Sequence, residues 1–151
     1  MKQPSKNAIR LFAAGYAALM LYLLIFRANP FASIQLPRPD MNLLPFQTMR
    51  RYFICLTPPY VAKNVRWAII NCFGNILLFL PLGLLPPVLW QRMRKFWKTI
   101  LLAIAVMTVI ELLQMVLRVG VCDVDDLILN TLGAAVGYWI YLKSHRSETQ
   151  S

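Results

Sequence analysis

The sequence predicts an all-α polytopic membrane protein, with four transmembrane helices in two antiparallel hairpins and a long proline-rich loop after the first helix. Three observations predict it. Apolar residues make up 58% of the 151 positions and charged ones only 15%, with a mean hydropathy of +0.54, more than a water-soluble core of this length requires. The apolar residues fall in four long runs. The basic residues behind the net charge of +10 sit in short clusters between those runs, not in a separate basic domain. Such clusters match anionic lipid headgroups. Zinc, helix-turn-helix and aromatic-sheet signatures are all absent, so nucleic acid is excluded as a partner.

The first run, residues 9–26, has Arg10 as its one charge, at an edge where its stem can reach the interface. MKQPSKNAIR followed by an apolar run has the layout of a signal peptide, but the run is long and leads into Phe26–Pro30 without a small-x-small cleavage site. It is therefore read as a retained helix. The connection that follows carries Pro30, Pro37, Pro39, Pro45, Pro58 and Pro59, a density that forbids a continuous helix. Within it, MNLLPFQTMRRYFICL interleaves apolar residues with Gln47, Arg50 and Arg51, which fits either a segment in the headgroup layer or a loop that covers the bundle.

Residues 67–90 form a charge-free second helix with a tryptophan at each end, as suits the two interfaces. Inside it, Pro81 predicts a kink and Gly83 a flexible or closely packed point. A turn with Arg92, Arg94, Lys95 and Lys98 leads to a third helix over 97–117. A second turn, from Arg118 to Asp126, precedes a fourth helix over 127–142, and a polar tail over 143–151 is expected to fray. The whole chain, 1–151, reads as one domain. Because short loops carry the positive-inside bias, the four-base turn and both termini are placed in the cytoplasm.

In that topology the polar residues gather near the outer face. At ~1.5 Å per residue, Glu111 lies about 9 Å and Asn75 about 12 Å below the outer ends of their helices. At ~100° per residue, Glu111, Gln114 and Arg118 share one face of the third helix. Asn71 and Asn75 share a face of the second, and Asp126, Asn130, Gly133 and Gly137 a face of the fourth. Asn71, Asn75 and the Gly133-to-Gly137 GxxxG read equally well as ties between helices. Glu111, Arg118 and Asp126 are different, because burying ionised groups costs more than a mutual bridge usually returns. They point to a site.

The chemistry open to that site is narrow. Arg118 is a permanent cation suited to phosphate or carboxylate, with Asn75, Glu111, Gln114, Asp125, Asp126 and Asn130 as further ligand-binding candidates. Glu111 and Asp126 are the candidates for proton transfer, and Glu111, Asp123 and Asp126 a weak candidate set for a hard divalent ion. No cofactor is implied. The one histidine, His145, falls in the tail and no serine lies near the polar layer, which excludes a Ser-His-Asp triad and a histidine metal site. Cys55, Cys72 and Cys122 form no CxxC pair, and whether Cys55 meets Cys122 is open.

Four segments resemble the VanZ-like family in order and spacing: NLLPF at Asn42–Phe46, NCFGNILLFLPLG at Asn71–Gly83, IELLQ at Ile110–Gln114, and RVGVCDVDDLILNTLGAAVGY at Arg118–Tyr138. By this resemblance Asn75, Pro81, Gly83, Glu111, Gln114, Arg118, Asp126, Asn130 and Gly133 are signature positions. The chain departs from the pattern at Val119 and Val121, where an aromatic or more polar residue is expected. The resemblance implies a small multi-helix bacterial membrane protein of the cell envelope, in a family named for a teicoplanin-resistance factor.

Three functions follow. In the first, the outward polar pocket binds an anionic envelope component, such as a lipid-linked precursor, and contributes to glycopeptide resistance. In the second, the carboxylates act as an enzyme on a lipid-linked substrate. In the third, the chain is a non-catalytic helical scaffold for a partner protein.

Overall fold

A computed structural model describes residues 6–25, 41–55, 61–117 and 122–148. The described residues form five α-helices: α1 (Lys6–Ile25), α2 (Gln47–Cys55), α3 (Val61–Leu89), α4 (Phe96–Leu117) and α5 (Val124–Glu148). A 3-10 turn, Gln91–Met93, joins α3 to α4, and two-residue strands β1 (Met41–Asn42) and β2 (Cys122–Asp123) pair in parallel.

Two boundaries move by six residues from their predicted places. α3 starts six residues earlier than the apolar run, because Lys63 and Arg66 end the hydrophobicity without ending the helix. It also continues through Pro81, Pro86 and Pro87. α5 runs to Glu148, so its helix includes most of the stretch expected to fray. The segment between the first two long helices contains α2, which has a polar face with Arg50 and Arg51 exposed.

Ala68–Leu89 and Phe96–Leu117, each 22 residues, are long and apolar enough to cross a membrane, whereas the apolar stretch of α1, Asn7–Leu23, is shorter. In α5 the acids Asp125 and Asp126 occupy the first turn. The charge-free part that follows is shorter than the ~20 residues a bilayer asks for.

Specific contacts set the helix directions. The Tyr16 hydroxyl donates to the Leu78 carbonyl at 2.6 Å, the Tyr138 hydroxyl donates to the Arg94 carbonyl at 2.6 Å, and Asn75 meets Asp126. α1 and α4 therefore run one way, and α3 and α5 the other. The most extensive pairing is α3 with α5, which joins the two expected hairpins. Glycine makes that approach possible: a Cβ on Gly133 would overlap the Ile76 carbonyl, one on Gly137 the Leu80 carbonyl, and one on Gly83 the Ala134 carbonyl.

The core is small and central, built from Met20, Phe79, Ala103, Met107, Ile110 and Ala134 of four different helices. A second cluster, Ala68 and Leu129 with Met49 packed on it, seats α2 over one end of the α3–α5 pair. The outward faces are apolar. Leu11 is 77% exposed, Leu77 64% and Val116 73%, an inside-out pattern that suits acyl chains as the surrounding medium.

Candidate functional site

The site starts from a helix that cannot cap itself. α2 begins at Gln47 after Leu-Leu-Pro-Phe, and a phenylalanine at the entry position has no side-chain acceptor for the first N–H groups. Asp125, from the first turn of α5, supplies it. Its Oδ1 accepts the Phe46 N–H at 2.5 Å, and its Oδ2 accepts those of Thr48 at 2.7 Å and Met49 at 3.1 Å. Phe46 is held at φ 65°, a left-handed conformation uncommon for a bulky side chain.

Asp123 locks the same junction. Its Oδ1 accepts from Asn42 Nδ2 at 3.1 Å and from the Asp125 N–H at 2.9 Å, and its Oδ2 accepts from the Thr48 hydroxyl at 2.5 Å. Asn42 Nδ2 also donates to Thr48 Oγ1 at 3.0 Å, and Asn42 pairs with Asp123 in the strand register. These bonds tie the Asn42–Met49 segment to the start of α5 across some eighty residues of chain.

Beneath this knot lie the polar groups of the long helices. Asn75 of α3 donates from Nδ2 to Asp126 Oδ1 at 2.7 Å. Glu111 of α4 is 4% exposed; its Oε2 accepts the Asp123 N–H at 3.1 Å, while its Oε1 is buried with no partner. Asn130 is fully buried one turn after Asp126, with Nδ2 donating to the Met107 sulfur at 3.1 Å and Oδ1 unpartnered. Unmet acceptors at such depth are costly, about 1–3 kcal/mol each. Each keeps an unused acceptor for a hydroxyl, amide or ammonium donor.

Asn75, Glu111, Asp123, Asp125, Asp126 and Asn130 are thus brought to one end of the helix bundle. Gln114 sits half-buried in the last turn of α4. Arg118, Val119 and Val121 lie outside the described residues. Asp125, expected among the ligand-binding residues, is fully buried and directs both carboxylate oxygens to backbone N–H groups, so its evident work is holding α2. Asn42 and Thr48 belong to the cluster although neither was singled out as a site residue. Asn42 opens the NLLPF segment, which was the one available signal.

Among the described residues, no three His, Cys, Asp or Glu side chains form a group able to hold a metal ion, and the weak candidate set of Glu111, Asp123 and Asp126 forms none. Burial, with the Glu111 and Asp123 carboxylates beside it, holds the Cys122 thiol above its usual range. It is a protonated thiol at neutral pH and a poor nucleophile. Cys72 and Cys122 are both free of disulfides, and the side chain of Cys55 lies outside the described ones.

The model of the VanZ/LLP1 family matches residues 13–145, which include every element of this junction. The chain belongs to the VanZ/LLP1 family. Protein VanZ of Enterococcus faecium is 26% identical over 141 residues, an alignment covering 93% of this chain and 80% of that protein. No solved structure matches the chain. The family match extends past Tyr138, the end of the last resembling segment, to the C-terminal part of α5.

Proposed function

We propose that this VanZ-family chain is a multi-pass protein of the bacterial inner membrane, with α1, α3, α4 and α5 as its spans and both termini in the cytoplasm. Its polar cluster faces the envelope and takes an anionic component, a lipid phosphate or a peptide carboxylate, and thereby contributes to glycopeptide resistance of the teicoplanin type. One observation carries this reading: polar side chains of α3, α4 and α5 meet at the end of the bundle opposite the Arg92, Arg94, Lys95 and Lys98 turn. Basic short turns stay in the cytoplasm, so the cluster takes the outer side.

Arg118, which stands between Glu111 and Asp123 in the chain, meets the anion, since carboxylates alone would repel it. The half-buried Asp126 and Asn75 and the unmet Glu111 oxygen receive the hydroxyl or amide donors that such envelope components carry beside their anionic groups. A second reading, that the cluster only ties segments together, is favoured by the three backbone bonds of Asp125.

Teicoplanin susceptibility of a sensitive bacterial host separates the two. Expression of the unaltered chain is expected to lower susceptibility, and Arg118→Ala and Glu111→Gln to abolish the effect while the amount of protein in the membrane stays the same. Disappearance of the variants from the membrane would assign both residues to packing. An unaltered chain with no effect on susceptibility removes the resistance role.

A further inference from the structure

The outward face of α2 suits neither water nor a protein interior. Phe53 is 69% exposed and Ile54 45%, and Phe46, in the turn before the helix, is 62% exposed. At ~100° per residue Arg50 falls between Phe53 and Ile54 on that face, about 60° from the first and about 40° from the second. Thr48, nearly opposite, is buried against Asn42 and Asp123. Arg50 and Arg51 are both exposed, and the helix, QTMRRYFIC, contains no acid. Asp123 and Asp125, which hold its first turn, direct their oxygens to Asn42, Thr48 and main-chain N–H groups.

Two anchors fix the level of the helix. Met49 packs on the cluster of Ala68 and Leu129, and Ala68 is the first residue of the stretch of α3 that is apolar enough to cross a membrane. Asp125, which caps α2, stands in the first turn of α5, just before the charge-free stretch that begins at Leu127. α2 therefore lies where two spans end, at the boundary between acyl chains and water.

We infer that this face of α2 is a lipid-binding surface set in the headgroup layer beside the polar cluster, with Phe46, Phe53 and Ile54 toward the acyl chains and Arg50 and Arg51 on lipid phosphates. The mixture of side chains selects the occupant. Water leaves three large apolar side chains uncovered, and the acyl interior isolates two guanidinium groups. A second copy docked through the same face sets Arg50 against Arg50. The interface takes both kinds side by side, because the rings reach inward while the guanidinium groups stay with the phosphates. Since Asp126 follows the Asp125 that caps α2, the same contact holds the polar cluster at the level of the phosphates.

The inference rests on the membrane placement proposed above but not on the resistance role. The test is electron paramagnetic resonance of the full chain in vesicles of phosphatidylethanolamine and phosphatidylglycerol. Cys55, Cys72 and Cys122 are replaced by alanine, one spin label is attached at a time, and its relaxation by oxygen is compared with that by a water-soluble nickel chelate on both sides of the membrane. Leu77→Cys, exposed within the apolar stretch of α3, is the acyl reference, and Arg92→Cys, exposed in the turn between α3 and α4, is the water reference. Labels at Phe53→Cys and Ile54→Cys should shift the oxygen-to-chelate ratio at least midway from the water reference to the acyl reference. Adding Arg50→Glu and Arg51→Glu to Phe53→Cys should shift that ratio back toward water; an unchanged ratio overturns the phosphate contact. Ratios closer to that of Arg92→Cys mean that water covers the face, and protection from both reagents means that protein does. Either result overturns the surface. Membrane placement fails separately, if Leu77→Cys itself relaxes with the chelate as Arg92→Cys does.

Discussion

Gly133→Leu is expected to remove the folded protein from the membrane, while the same substitution at Gly15 or Gly74 leaves it in place. Nothing lies within 4 Å of where a Cβ would stand at Gly15 or Gly74, whereas at Gly133 the Ile76 backbone occupies that position. A flexible side chain could swing aside. A helix backbone cannot, so the whole α3–α5 contact must open. Inserting atoms into a packed core usually costs about 1–3 kcal/mol, and a backbone-to-backbone overlap falls at or above the upper end of that range. The contact also positions Asp126 against Asn75, so separation of the helices breaks the polar cluster with it. The measurement is the amount and thermal stability of each variant in detergent extracts. Equal levels and equal melting for Gly133→Leu and Gly74→Leu would show that the helices do not pack through this face.

Asp125→Ala should release α2 and the Leu43–Phe46 turn while leaving α3, α4 and α5 packed. The substitution strips three backbone N–H groups of their acceptor, and Thr48 is buried, so water cannot fully replace the carboxylate. At about 1–3 kcal/mol for each donor left unmet, the local penalty is about 3 kcal/mol or more. The left-handed conformation of Phe46, which costs a residue with a side chain about 1–2 kcal/mol, favours release with or without Asp125 and so thins the margin that the carboxylate must hold. Hydrogen exchange reads this segment by segment. Amides of Gln47–Cys55 should exchange at least about a hundredfold faster in Asp125→Ala, with those of α4 unchanged. Unchanged exchange in α2 would mean that it is held by its Met49 packing instead.

The parts of the fold that were legible in the sequence are those written as long-range periodicity or sustained hydrophobicity. The α4 bounds, Phe96–Leu117, match the predicted third helix within one residue, because its apolar run is bounded by a basic turn and by Arg118. The start of α3 was not legible, since Lys63 and Arg66 look like the end of a span while fitting the first turns of a helix equally well. The Gly133-to-Gly137 spacing announced a close neighbour without identifying it; α3 fills that role by returning across the bundle.

The site divides along the same line. Asn75, Glu111, Asp126 and Asn130 stood out because a polar side chain in an apolar run is conspicuous, and the helices bring all four to one end. The knot above them was hidden. Most of its donors are main-chain N–H groups, those of Phe46, Thr48, Met49, Asp123 and Asp125, which carry no sequence label, and its two paired strands are only two residues long. Asp125 therefore read as one of three similar acids in a turn, although its neighbours Asp123 and Asp126 each face a different partner.

Sidedness is the property on which the outer polar cluster depends. It is read by labelling intact cells with a membrane-impermeant thiol reagent, using chains in which Cys55, Cys72 and Cys122 are replaced by alanine and a single cysteine is placed at Leu43 or Ser144. Both positions are exposed, at opposite ends of the bundle. Leu43→Cys should be labelled in intact cells, and Ser144→Cys only after the membrane is permeabilised. Labelling of Ser144→Cys from outside, with Leu43→Cys protected, would place the carboxylate cluster in the cytoplasm and contradict the account.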